Sequence, residues 1–280
     1  MLQAKDDTRN HLHAMWSAVA PAWGEHAEVT DAMAQELTER MLALATPGPD
    51  DRVLELACGA GGLGIAAAER AGEVVLSDVA PEMAEIAASR ADELGINNVR
   101  ARVLDVEDID EPDASFDVVL CREGVMFAVD PADAFREIGR VLRPGGRMAV
   151  AVWGPRAENP WLGTIMDAVS AQVGMPIPPP GIPGPFALDD AGRLREIVAE
   201  AGLDGAVVEA LPFPRHFASF EEWWARTSAL AGPLAKILEN MDADAIAAIQ
   251  GRAREALAPH TGSEGLDLPA VTLLVSYRAV

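Results

Sequence analysis

The sequence predicts an α/β fold: a doubly wound, mostly parallel sheet with helices on both faces. Three observations carry this expectation. Short β-type runs, apolar along their whole length as doubly covered strands are, alternate with helical segments. A glycine cluster stands between the first such run and the helix after it. Half of the 280 residues are hydrophobic, enough for one large core or a core with an appended lobe.

Taken in order, Met33, Leu37, Met41 and Leu44 mark one face of an amphipathic helix expected to start at a Thr30-Asp31 cap and to end at Pro47-Gly48-Pro49. Residues 51–57 (DRVLELA) form a strand, and 63–71 a helix. Residues 73–77 (EVVLS) are a second strand, 81–94 a helix with Pro81 in its first turn, and 98–104 a third strand. Then follow a buried strand at 116–121 (FDVVLC), a helix at 131–142 and a strand at 147–153 (RMAVAVW) after a Pro-Gly-Gly turn. Residues 175–185 (MPIPPPGIPGP) hold too much proline for a helix or a central strand and read as a stiff surface connection. Asp189 and Asp190 can cap a helix to Ala201, closed by Gly202; strands follow at 206–211 and 270–277. The intervening Trp-bearing stretch reads as helical and as a lid.

This divides the chain into an N-terminal helical lid (1–45), a core (46–214) with a Pro-rich insertion at about 154–188, a helical substrate lid (215–268) and a final core strand (269–280). Lys plus Arg is 22 against 44 for Asp plus Glu, a formal charge of −22. Such a field repels polyanions, and no basic stripe is present, so nucleic acid and acidic membranes are excluded as partners. The first residues lack signal-peptide order and no apolar run approaches a membrane span, from which a soluble cytoplasmic protein, monomer or homodimer, is expected. Cys58 and Cys121 are too few for a disulfide framework and lack metal spacing, so no metal is expected.

The strongest chemical signal is Val53 to Gly64 (VLELACGAGGLG), a strand emptying into a glycine turn that opens a helix. Glycine lets backbone N–H groups approach a ligand closely. Asp78, ending the second strand, can accept both hydroxyl protons of a ribose. Gly59, Gly61 and Gly64 also satisfy GxGxxG, the dinucleotide pattern. Glu55 discriminates between the two: a carboxylate beside a pyrophosphate is repelled, whereas a cationic amino-acid head is attracted.

The run ELACGAGG, the acid-ended strand VVLSD, the pair Asp105-Val106 and FDVVLC together resemble the motifs of class I S-adenosylmethionine-dependent methyltransferases, with the UbiE/COQ5-like small-molecule subgroup most similar. The resemblance implies a Rossmann-like sheet of seven mostly parallel strands, the last antiparallel, and S-adenosylmethionine as cofactor with S-adenosylhomocysteine as product. It implies that Glu55 and Ala57 with Gly59 and Gly61 follow the methionine and ribose, and that Asp78 takes the ribose hydroxyls. Val79 and Met83 would lie against the adenine, Asp105 and Val106 would bond its edge, and Cys121 and Arg122 would face the methionine end. Trp16 to Gly24 matches the spacing of a family signature in an N-terminal helix, with Gly24 where Asp is usual. Trp23 is thereby a cofactor-covering candidate, against the plainer reading of Trp16 and Trp23 as packing residues.

Methyl transfer from a sulfonium needs alignment and a dry pocket more than a dedicated base. Where the acceptor must lose a proton, Glu123 and His26 are the first candidates for general base and His216 the third, each with an ordinary surface or capping role as the alternative. Met15, Trp16, Trp161, Phe186, Phe213, Phe217, Trp223 and Trp224 form either an apolar cleft for a small planar acceptor or a second hydrophobic core. The other functional readings are an NAD(P)-dependent oxidoreductase, on the literal GxGxxG, and a non-catalytic S-adenosylmethionine-binding module.

Overall fold

A computed structural model describes residues 2–280; Met1 of the expected N-terminal lid lies outside them. Three helices come first, α1 (Leu2–Glu25), α2 (Ala27–Met33) and α3 (Gln35–Ala45). The alternating unit follows: β1 (Arg52–Leu56), α4 (Gly62–Ala68), β2 (Glu73–Asp78), α5 (Pro81–Glu93), β3 (Val99–Val103), β4 (Phe116–Arg122), α6 (Pro131–Val141) and β5 (Leu142–Trp153). After α7 (Pro160–Val173) and α8 (Ala191–Glu200) come β6 (Val207–Pro212) and β7 (Arg215–Phe217). Helices α9 (Phe220–Leu230), α10 (Pro233–Glu239) and α11 (Ala243–Leu257) then lead to β8 (Thr261–Gly262), β9 (Gly265–Leu268) and β10 (Val271–Arg278).

The main sheet has the order β3-β2-β1-β4-β5-β10-β6. Strands β1 to β5 pair in parallel, and β10 runs antiparallel between β5 and β6. This is the Rossmann-like sheet of seven strands, with its last strand reversed. Its central strands are apolar on both faces because both faces are covered: Val53, Leu54, Leu56, Val118, Val119 and Leu120 are fully buried. In-register pairing of Leu56 with Cys121 and of Asp78 with Val103 sets the ends of β3, β2, β1 and β4 side by side.

Three expectations need correction. The helix from Thr30 is two helices, broken at Ala34, and Thr30 lies inside α2 instead of capping it. Asp31 is drawn to Arg90, whose Nη2 donates to its Oδ2 at 2.7 Å, so a tertiary ion pair outcompetes the local cap. Second, β5 begins at Leu142 and carries the Pro-Gly-Gly turn within it. Third, the segment 215–268 is not wholly helical, because β7, β9 and β8 form a small antiparallel sheet. Apart from Trp16, the tryptophans and phenylalanines offered as a cleft pack mostly as core: Trp223, Phe213 and Phe217 are buried, and Trp223 Nε1 donates to the Trp161 carbonyl at 2.8 Å.

Candidate functional site

A cavity opens at the carboxyl ends of four neighbouring strands, where loops leave a parallel sheet and ligands can enter. About 1110 Å³ of space lies between its walls, part of it open to solvent. Four strands at about 4.8 Å spacing make its floor about 14 Å long, room for an extended ligand. At each of these strand ends a carboxyl group lines it: Asp105 after β3, Asp78 on β2, Glu55 on β1 and Glu123 after β4.

Glu55 is 1% exposed, and its Oε2 accepts the Gly64 N–H at 2.9 Å. Burial pushes its carboxyl up to about 8, against the pull of Arg122 and of that hydrogen bond. A Cβ at Gly64 would run into the Glu55 carboxylate and Leu76, so glycine there makes room for the acid. Asp78 accepts the Gly59 N–H at Oδ2 and the Ala80 N–H at Oδ1, both at 2.9 Å. Burial raises its carboxyl too, although these backbone bonds oppose the shift.

The glycine loop's own N–H groups are largely consumed. Gly59 and Gly64 donate to the two acids, Cys58 donates to the Ser77 carbonyl and Gly61 to the Cys58 carbonyl. Beside Gly62, at the start of α4, the space a side chain would need is filled by the Asp31 carboxylate. Arg90 holds both parts together, donating to the Ala60 carbonyl at 2.5 Å and to Asp31.

Helix α1 roofs the cavity. Arg9, Leu12, His13, Trp16 and Trp23 line it, recurring at helical spacing on one side of the helix. Arg9 and His13 approach Asp105 Oδ2 at 3.3 and 3.4 Å, and Arg9 Nη2 donates to Glu107 at 3.0 Å. Burial alone would raise the Asp105 carboxyl; His13, the Glu107 N–H and Arg9 together hold it below its usual value. Trp23 packs against the Gly59 backbone, with its buried Nε1 lacking a hydrogen-bond partner, while Trp16 meets Phe127 edge-on at 4.9 Å.

Of the residues singled out in the sequence, Trp23, Glu55, Ala57, Gly59, Asp78, Val79, Met83, Asp105, Val106, Arg122 and Glu123 line this cavity together. Gly61, Cys121 and His26 do not line it. A Cβ on Gly61 would come within 2.9 Å of Ala87 Cβ, so this glycine lets the loop pack on α5. Cys121 is fully buried within the sheet, and burial raises its thiol to about 12, an inert state. His26 joins α1 to α2, and His216 is exposed on β7, where its Nδ1 lies 2.8 Å from Asp267.

Glu123 has the left-handed φ of 60°, which turns the chain sharply at the end of β4. Burial pushes its carboxyl up to about 7, against the pull of Arg215, Arg122 and the Thr272 hydroxyl. Sequence reasoning missed Arg215, which borders the cavity from β7; burial lowers its guanidinium to about 10. It also missed Arg9, His13 and Thr30. Among the described residues no cluster of three or more His, Cys, Asp or Glu could hold a metal, and no helix is long and apolar enough to cross a membrane.

Residues 47–202 match the family described as a methyltransferase domain, more than half of the chain. The chain belongs to the methyltransferase-domain family. Relatives of this methyltransferase-domain chain include the uncharacterized protein Rv1405c of Mycobacterium tuberculosis, 33% identical over 150 residues, which are 53% of each protein. Another is the ubiquinone/menaquinone biosynthesis C-methyltransferase UbiE of Azotobacter vinelandii, 35% identical over 124 residues, 43% of this chain and 49% of the relative. The chain thus spans about half the length of the curated relatives it matches. Among solved structures, the YcgJ protein of Bacillus subtilis shares the fold with a TM-score of 0.61 at 21% identity, over 88% of this chain and 98% of that one.

Proposed function

We propose that this methyltransferase-domain protein transfers a methyl group from S-adenosylmethionine to a small apolar or aromatic molecule, as in the UbiE/COQ5-like subgroup. The observation that carries the reading is the buried Glu55 carboxyl at the glycine loop. Raised to about 8, it gains most from a cationic partner, and the amino-acid head of S-adenosylmethionine is one. Bound there, the cofactor supplies an activated methyl group and a neutral leaving group. Glu55 and the Gly59 backbone would hold its amino-acid portion, Asp78 its ribose, and Val79, Met83 and Val106 its adenine. Trp23 would cover it with an N–H still in need of an acceptor. Asp105 would meet the adenine edge while remaining tied to α1, which couples cofactor binding to closure of that helix.

A pyrophosphate fits the same loop poorly. The N–H groups it would need are engaged, and the Asp31, Glu55 and Asp78 carboxyls put acceptor oxygens where a phosphate needs donors. At the other end, Glu123 sits where an acceptor hydroxyl would lose its proton, and a carboxyl near 7 is matched to that task. Cys121 and His26 drop out of this proposal because neither borders the cavity.

Calorimetry with S-adenosylhomocysteine and with NADH tests the cofactor, with binding of the first alone expected. NADH binding without S-adenosylhomocysteine binding overturns the reading. Incubation with methyl-labelled cofactor and a panel of small aromatic acceptors tests turnover. Tight cofactor binding with no labelled product would favour a non-catalytic binding module.

A further inference from the structure

The β4 end of the cavity carries two groups of opposite charge that the protein leaves unsatisfied. Arg215 Nε and Glu123 Oε1 are both buried without a hydrogen-bond partner, and the polar group beside Glu123 is the Thr272 hydroxyl, itself buried and unpaired. The two side chains attract each other through space, and both border the cavity. The other cavity cations are engaged: Arg9 with Asp105 and Glu107, His13 with Asp105, and Arg122 with Thr38 at 2.8 Å and Asp31 at 3.7 Å. Arg215 has no such partner among the described residues.

What surrounds Arg215 is aromatic. Its guanidinium carbon lies 4.2 Å from the ring centre of Trp161 and 5.1 Å from those of Trp153 and Phe213. Ring faces stabilise the cation without using its N–H groups, which lie in the guanidinium plane and need in-plane oxygen acceptors. A buried guanidinium left in that state is costly, and a planar oxyanion is the complement that removes the cost.

Resting on the methyl-transfer reading of the same cavity, we infer that the acceptor is an anion: a carboxylate standing beside a hydroxyl, the carboxylate on Arg215 and the hydroxyl on Glu123. The hydroxyl proton passes to Glu123 Oε1, and the lone pair left on oxygen is the nucleophile. Oxygen gains the methyl, the sulfonium sulfur keeps the electron pair of the broken bond, and no oxidant or further reactant is needed. Because the chain carries −22 overall, long-range steering opposes an anion. Discrimination in its favour therefore has to come from Arg215 at contact.

The test is calorimetry of the protein saturated with S-adenosylhomocysteine, titrated with salicylate, benzoate and phenol. Salicylate is expected to bind at least tenfold more tightly than phenol and more tightly than benzoate. Arg215→Met should abolish the preference over phenol, Arg215→Lys should restore part of it, and Glu123→Gln should remove the advantage over benzoate. A circular dichroism melt of each variant separates these losses from misfolding, and the wild-type preference among the three ligands stands independently of any variant. Equal binding of salicylate and phenol, binding by none of the three, or an unaltered preference in folded Arg215→Met overturns the inference. If wild-type protein fails to bind S-adenosylhomocysteine, the methyl-transfer reading itself falls. If it binds the cofactor product but shows no preference for salicylate, only the anionic acceptor falls.

Discussion

The Glu55→Gln substitution gives the sharpest test of the cofactor site, because its cost should depend on pH. Glutamine keeps the size and can still accept the Gly64 N–H now made at 2.9 Å, so the loop should survive. With a carboxyl raised to about 8, the free protein at pH 6 holds Glu55 protonated. Binding a cationic head then requires ionisation against a gap of two units, about 2.7 kcal/mol at 1.36 kcal/mol per unit. The charge-assisted hydrogen bond gained is about 1.5–3 kcal/mol, so the two nearly cancel and wild type and variant should bind S-adenosylhomocysteine alike at pH 6. At pH 8.5 most of the ionisation cost is gone, and the variant should bind roughly 10- to 150-fold more weakly. Calorimetry in buffers of different ionisation enthalpy measures both quantities at once. Near pH 7 the wild type should release up to one proton per ligand, and Glu55→Gln should lose that release. A penalty of the same size at pH 6 and pH 8.5, or a wild-type affinity indifferent to pH, would mean that Glu55 does not ionise to meet the ligand.

The same buried acids predict how stability varies with pH. Folded Glu55 and Glu123, at about 8 and 7, hold protons that the unfolded chain releases near 4.5. Their contribution is fully present below about 4.5 and is lost as pH rises through 7 and 8. The melting temperature of the ligand-free protein should fall between pH 5 and 8.5, and Glu55→Gln or Glu123→Gln should flatten that fall. Gly64→Ala should abolish S-adenosylhomocysteine binding in calorimetry, since its methyl group displaces the Glu55 carboxylate. Gly61→Val should instead lower the melting temperature, by the equivalent of about 1–3 kcal/mol, because its side chain meets Ala87 on α5. Asp78→Asn, which can accept only one of the two loop N–H bonds at its carbonyl oxygen, should weaken the same binding by about 1.5–3 kcal/mol.

The central sheet was legible because burial on both faces writes itself into each strand as an unbroken apolar run, as in Val53-Leu54 and Val118-Val119-Leu120. The acids at the strand ends were legible for the complementary reason: Glu55 and Asp78 interrupt apolar sequence, and a buried carboxyl needs a purpose. Which glycine faces the cavity was not legible. Gly59 and Gly61 share a motif and a positive φ, yet the first faces Trp23 and the second α5, a difference set by packing direction. Arg9 and His13 carried a usable signal, since they stand one helical turn apart, on the same side of α1 as Trp16 and Trp23. Arg215 carried none. It is far from Glu123 in sequence and meets the same cavity only because β6, at the far edge of the sheet, ends on the carboxyl side of β5 and leads there into β7.

Along the cavity the balance of charge changes, and that order constrains what can bind together. At the β3 end Asp105 is neutralised by α1, and over β2 and β1 Asp78 and Glu55 are satisfied by backbone N–H groups and raised by burial. Past β4 the unanswered groups are Arg215 and Glu123. A cation is favoured in the middle and an oxyanion at the far end, so two ligands occupying both places would attract each other across the gap where a methyl group must move. Attraction of that kind grows as water is excluded, and α1 narrows this cavity with Arg9, His13, Trp16 and Trp23. In the proposed complex the N-terminal helix would therefore do more than cover the cofactor. By lowering the local dielectric it would strengthen the pairing on which the order of charges depends, anchored by Asp105, the acid that would also meet the adenine.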